Sequence, residues 1–301
     1  VIKNTIKIAL VGQPNVGKSM LINSISNARL KVGNFSGVTV SKEQVFFDYK
    51  NFHIEIVDLP GAYSLNDYTI EEKVTKDFLN NEKYDIILNV LDSTNLQRNL
   101  LLTAELLTLD KKMIIALNMS DEAEKESILI DEILLSKILG KPCIKTSAAK
   151  KNGITKLLDE ILLKFQSQKV PSKFFFSNVI EEEIENISRV LEENKYETTE
   201  TYRQISLGLL KENKNIYKQF HDEPIWIKIQ PILTEAFEHL FIHFNSKNIK
   251  DIFNEERFAF AKGAVIETVK QKNTNTTTLT ERFDAILIHK FFGLPIFLFF
   301  M

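Results

Sequence analysis

Apolar and polar positions divide the chain into two halves of different rhythm. Through about residue 168, short apolar runs alternate with amphipathic stretches, the pattern of a mainly parallel sheet with helices on both faces. The runs predict six strands, at 6–11, 43–49, 52–57, 85–91, 112–117 and 143–146. Helices are expected near 18–27, 70–80, 97–109, 130–139 and 153–166. Gln44–Tyr49 and His53–Val57, joined by a short polar turn, predict one antiparallel hairpin inside that sheet.

Past Val170-Pro171 the strand signals stop. Segments at about 178–194, 199–212, 226–244 and 249–271 carry helical spacing; Ile180, Ile184, Ile187 and Leu191 share a face, with Glu and Lys opposite. The expected organisation is an α/β domain over 1–168, an all-α domain over 171–271, a polar linker at 272–280 and an apolar segment at 281–301. Ala285–Met301 is mostly apolar but includes His289 and Lys290. It falls short of the roughly 20 apolar residues that a membrane helix needs. Three readings stand: the start of a membrane region, a helix lying on a bilayer surface, or a helix packed on the soluble core.

Composition narrows the field. Hydrophobic residues at 44% and charged residues at 26% are enough for a folded core. The net charge of −2, from 38 basic and 40 acidic residues, leaves no electrostatic footprint for nucleic acid. Residues 171–280 are themselves acidic, with seventeen acidic and fourteen basic side chains and no GxxG clamp for an RNA backbone. Cys143 is the only cysteine, which excludes a disulfide framework and fits a reducing compartment. The first residues lead into a strand without a signal-peptide pattern.

Chemistry enters with Gly12-Gln-Pro-Asn-Val-Gly17-Lys18-Ser19, a phosphate-binding loop between a predicted strand and a predicted helix. Its glycines let the backbone curl so that N–H groups, with the helix N-terminus behind them, face phosphate. Lys18 is expected on the β- and γ-phosphates and the Ser19 hydroxyl on Mg²⁺. Val16 and Met20 flank these residues and count among the nucleotide contacts. Asp58-Leu-Pro-Gly61 ends a strand, where Asp58 can hold Mg²⁺ through water and Gly61 can offer its N–H to the γ-phosphate. Asn118-Met119-Ser-Asp121 has the spacing of a guanine-reading element, in which the carboxylate accepts from the base and rejects adenine. Met119 stands where a Lys is usual, which removes packing over the base and predicts weaker binding. Thr146-Ser147-Ala148 follows a strand and offers a backbone N–H to guanine O6.

Between the first two motifs, Thr39 is the candidate that completes the Mg²⁺ shell with GTP bound and lets go after hydrolysis; Ser36 and Ser41 are the alternatives. Ala62 occupies the position where many small GTPases place a water-orienting glutamine. With neither that glutamine nor an obvious cis arginine, hydrolysis is expected to be slow. His239 and His243 are four apart and could share a helix face, but without a convergent Cys or carboxylate cluster an ordinary structural role is the expectation.

Four such motifs in order resemble translation-factor-related GTPases, with an α/β P-loop G domain. The finer resemblance is to the bacterial ferrous iron transport protein B family. It is carried by Gly12–Ser19 with Pro14 and Asn15, Gly37-Val-Thr-Val40, Asp58-Leu-Pro-Gly-Ala-Tyr-Ser-Leu65, Asp92-Ser-Thr-Asn-Leu-Gln-Arg-Asn-Leu100 and the Lys-less Asn118-Met-Ser-Asp121. Arg282–Phe297 resembles that family's approach to its first membrane segment. The resemblance implies a GTP/GDP-binding GTPase with Mg²⁺, and Asn15 as a K⁺ ligand doing an arginine finger's work; a turn-forming role for Asn15 is the alternative. It further implies a helical domain that favours GDP retention, a Fe²⁺-carrying membrane domain, small cytosolic iron-transport partners and possible oligomers at the cytoplasmic face of the bacterial inner membrane. The rival is a soluble ribosome-assembly GTPase, opposed by Met119, the acidic middle and the apolar tail.

Overall fold

In the computed structural model, residues 4–25, 29–35, 40–65, 68–168, 174–198 and 200–271 are described. Strand β1 (Asn4–Gly12) alternates its apolar side chains between two layers: Ile6, Ile8 and Leu10 face one, Ala9 and Val11 the other. A strand buried on both sides belongs in the middle of a sheet. It lies there, parallel to β4 (Phe52–Asp58) and β5 (Ile86–Asp92), with β6 (Met113–Asn118) and β8 (Cys143–Lys145) continuing the parallel side.

On the other side, β3 (Ser41–Tyr49) runs antiparallel to β4, the expected hairpin, with Lys50 in the turn at φ 52°. An edge strand, β2 (Arg29–Asn34), pairs antiparallel with β3 and brings the sheet to seven strands rather than the expected six. Its sequence hides it: β2 adds backbone hydrogen bonds to β3, and its Val32 stands 61% exposed.

One sheet face is covered by the short α1 (Lys18–Asn23) and by α6 (Ile154–Gln166), whose Leu157, Leu158, Ile161 and Leu162 close a compact core. The expected helix to residue 27 ends at Asn23. On the opposite face lie α2 (Ile70–Asn81), started by Thr69 capping Glu72 N–H, and α3 (Leu96–Leu107). Each wholly buried Leu or Ile there contributes roughly 1.5–3 kcal/mol. Next come α4 (Ser120–Lys125), the short β7 (Ile128–Ile130) and α5 (Glu132–Leu139), opened by Asp131 and closed by Gly140 at φ 62°. Part of the helix expected over 130–139 is therefore strand.

The second half holds α7 (Asn178–Glu193), α8 (Tyr202–Leu210), α9 (Lys214–His221), α10 (Trp226–His243) and α11 (Ile249–Thr268). Sequence spacing missed α9, whose only buried residue is Phe220. The core of this half is continuous with the α3 face of the sheet: Leu100 and Leu106 belong to one cluster with Ile180, Ile252 and Ala261. A buried ion pair, Arg257 with Glu105, and a bond from Gln204 Nε2 to Leu109 O (3.3 Å) join the halves.

The strands do not stop at 170. The helix expected to reach 271 ends at Thr268, and β9 (Val269–Gln271) pairs antiparallel with β7, which belongs to the first half of the chain. The linker at 272–280 and the apolar segment at 281–301 lie outside the described residues. Among the described residues, no helix is long and apolar enough to cross a membrane.

Candidate nucleotide site

The site forms at the carboxyl ends of β1, β4 and β6, where loops leave a parallel sheet. At Gly12 a Cβ would lie 2.6 Å from Val90 O, so only glycine lets β1 end against β5. The loop then curls through two left-handed residues, Asn15 (φ 65°) and Gly17 (φ 84°). Such alternation turns successive N–H groups towards one point, a nest for an anion. Gly17 is fixed by proximity as well, since a Cβ there would meet Asn118 Nδ2 at 2.5 Å. Asn tolerates this conformation better than most residues, so the turn-forming role of Asn15 is visible, and its side chain is left exposed. Ser19 and Met20 are exposed at the loop's end and Val16 is buried beneath it.

Lys18 Nζ reaches Gly12 O at 3.4 Å. Burial lowers its pKa from the ordinary value while Asp58 pulls it back. Asp58 is pushed up to about 6, chiefly by burial, with Lys18 opposing and Glu43, its cross-strand partner, adding to the rise. Asp58 Oδ1 is buried without a hydrogen-bond partner among the described residues. An unpartnered buried carboxylate oxygen suits a small hard cation that keeps most of its waters. The residues present therefore fit Mg²⁺.

The turn after Asp58 leans on the phosphate loop. Leu59 N–H donates to Leu10 O (3.0 Å) and Ala62 N–H to Gly12 O (3.3 Å), while a Cβ on Gly61 would sit 3.0 Å from Pro14. Farther on, Glu72 accepts from Ser64 N–H (3.0 Å) and Tyr68 N–H (3.2 Å), and Glu105 accepts from Leu65 N–H. Nothing in the sequence flagged these two glutamates, because their work is to hold loop backbone. Gln13, also unflagged, is buried and ties the loop to α3 through Arg98 O (2.7 Å). Thr39 lies outside the described residues.

At the base end, Asn118 acts as a brace. Its Nδ2 donates to Val16 O (2.9 Å), and its Oδ1 accepts from Ala148 N–H (3.1 Å) and Thr146 Oγ1 (3.4 Å). Ala148 N–H, expected to face guanine O6, is thus engaged by Asn118 in this structure. Met119, left-handed at φ 56°, brings its Cε within 3.5 Å of the Cβ position of Gly17, so its side chain lies over the loop. Asp121 is held below the usual carboxylate range, first by the Ser147 hydroxyl and then by Lys150, whose Nζ is 3.2 Å from Oδ2. Lys150 was not among the expected site residues.

Among the described residues, the histidines gather no site. His239 Nδ1 lies 2.5 Å from Glu183 Oε1, which raises its pKa, and His221 is exposed beside Asp222. Among the described residues no group of three His, Cys, Asp or Glu is placed to hold a metal ion.

Comparison with known proteins agrees with this architecture. Residues 6–161 match the family described as Ferrous iron transport protein B, and residues 176–270 match the family described as FeoB cytosolic helical domain. The Fe(2+) transporter FeoB of Campylobacter jejuni is 41% identical over 98% of this chain, which spans 37% of that relative's length. A mutant of S. thermophilus NFeoB solved with GDP bound superposes with a TM-score of 0.77 at 30% identity, covering 88% of this chain and 100% of its own. The cytosolic domain of T. maritima FeoB in its GMPPNP form gives 0.72 at 28% identity, covering 88% and 99%. The chain belongs to the ferrous iron transport protein B family.

Proposed function

We propose that this chain is the GTP-binding and GTP-hydrolysing switch region of a Fe²⁺ transporter, working at the cytoplasmic face of the bacterial inner membrane. The proposed G domain is 1–168 and the helical domain 171–271, with 281–301 the start of a membrane region. The observation that carries the reading is Asp58. A buried carboxylate oxygen without a partner, beside a desolvated lysine and beneath a phosphate loop, is costly unless a ligand completes it.

In this reading the backbone from Gly12 to Gly17 cradles the phosphates and Lys18 binds their β- and γ-oxygens. Ser19, Asp58 and Thr39 would hold Mg²⁺, and Asn15 would offer its amide oxygen to K⁺. Both cations neutralise charge on phosphate oxygens when bound. Gly61 N–H faces the γ-phosphate, Asp121 accepts from the guanine edge, and Asn118 keeps that edge aligned with the phosphate loop. Ala62 has no group that can orient water, so turnover is slow and depends on charge stabilisation.

Single-turnover GTP hydrolysis with Mg²⁺, compared in KCl and NaCl at equal ionic strength, tests the reading. Stimulation by K⁺ that disappears in Asn15→Ala is expected; stimulation that persists in the variant removes Asn15 from the role. Asp121→Asn is expected to abolish the preference for GTP over ATP, and unchanged selectivity would overturn the guanine assignment.

A further inference from the structure

Asp121 is the carboxylate on which guanine recognition depends, and it is already occupied. Lys150, two residues beyond Ala148 in the loop that borders the base, brings its ammonium to 3.2 Å from Asp121 Oδ2. The same loop turns Lys150 N–H back onto Ser147 Oγ (3.3 Å), fixing the lysine's backbone on the base side. A guanine edge donates two N–H groups to this carboxylate, so base and lysine seek the same oxygens.

Two features make competition the consequence rather than support. Ser147 is 1% exposed, and its hydroxyl, ahead of Lys150, is the first cause that lowers the pKa of Asp121, so the carboxylate stays ionised without the lysine. Lys150 itself is unconfined: its side chain is 53% exposed while that of Asp121 is 14% exposed. An ammonium on a flexible stem at the rim of a sheltered acid is easily displaced, and it returns easily.

We propose that Lys150 is a built-in competitor for Asp121, lowering affinity for guanine nucleotides and speeding their release. The proposal rests on the guanine-reading role of Asp121 and deepens it, naming a residue that tunes the same site. It also adds to the effect expected from Met119: the position where related G proteins carry a Lys beside the base has none, while a lysine from the neighbouring loop sits on the acid instead.

The test is GDP affinity and dissociation rate, followed by stopped flow with a fluorescent GDP derivative on the full chain. Lys150→Ala and the length-preserving Lys150→Gln are expected to bind about two- to five-fold more tightly, the range carried by a partly exposed ion pair. The gain appears as slower release. In an Asp121→Asn background the same substitutions are expected to change nothing, because the contested charge is gone. Unchanged or weaker binding by both lysine variants overturns the proposal, as does a gain that survives Asp121→Asn. If the wild-type chain binds no fluorescent GDP, the nucleotide reading itself fails. If it binds and the variants match it, only the competition fails.

Discussion

At the phosphate end of the site, Asp58 keeps a buried oxygen without a partner among the described residues, and Lys18 is desolvated beside it. At the guanine end the polar groups are already engaged: Asn118 uses both ends of its amide, and Asp121 has Ser147 and Lys150. One end keeps a polar atom that no described residue satisfies. The other must give up internal partners to accept a ligand. Preorganised charge therefore belongs to the half that meets phosphate, and exchangeable contacts to the half that meets the base. In the proposed reading, phosphate would supply affinity, while the base would supply selection at some loss of binding strength.

Lys18→Ala attacks the contrast hardest. In the proposed complex Lys18 and the phosphates form a buried charge pair, and truncating one partner costs about 3–5 kcal/mol, so GDP and GTP binding by calorimetry is expected to fall by a factor of hundreds or more. A loss below tenfold would mean that the phosphate end carries less of the affinity than its geometry implies.

Asp58→Asn comes next, read as stability of the nucleotide-free chain against pH. The folded pKa of Asp58, about 6, lies above its ordinary value of 3.8. The folded state therefore takes up the proton more readily, and the wild-type chain gains stability relative to the variant as pH falls through about 6. The gain levels off near 3.8, with a ceiling of ~3 kcal/mol. Denaturant melts of both proteins between pH 7 and pH 4 measure the difference, and parallel curves would deny that Asp58 is strained.

Asn118→Ala sharpens the comparison from the middle, since that side chain ties the ends together. Its loss leaves Val16 O and Ala148 N–H without their partner and costs about 1–3 kcal/mol. Both the denaturation midpoint and GDP affinity are expected to drop. A drop in affinity alone would show that the brace aligns the site without stabilising the fold.

The sequence made the phosphate loop legible because its backbone needs fixed residues at fixed spacing: Gly12 and Gly17 fall where the loop leaves no room for a Cβ, and Lys18 and Asp58 lie close enough to shift each other's titration. The guanine end was legible only in part. Asn118 and Asp121 declare themselves, but that Ala148 N–H would turn to Asn118, and that Lys150 would reach Asp121, depends on how one loop folds across another. Among the elements, the strands buried on both faces were plain, as were long amphipathic helices such as α7. β2 escaped because an exposed edge strand needs few apolar residues. The three-residue β7 and β9 escaped because each exists only through a partner far along the chain. Glu72, Glu105 and Gln13 left no local signal, as any polar residue reads alike until its loop is in place.

The ribbon formed by β7 and β9 ties the end of the helical half to the first half of the chain. Gln271 lies opposite Ile128, Asp131 N–H donates to Thr268 O (2.8 Å), and α4, whose second residue is Asp121, ends three residues before Ile128. The point at which the chain leaves α11 and the segment that carries Asp121 are thus linked in series by a few backbone hydrogen bonds. A substitution that breaks this ribbon would therefore release the exit from α11 and the segment following α4 together.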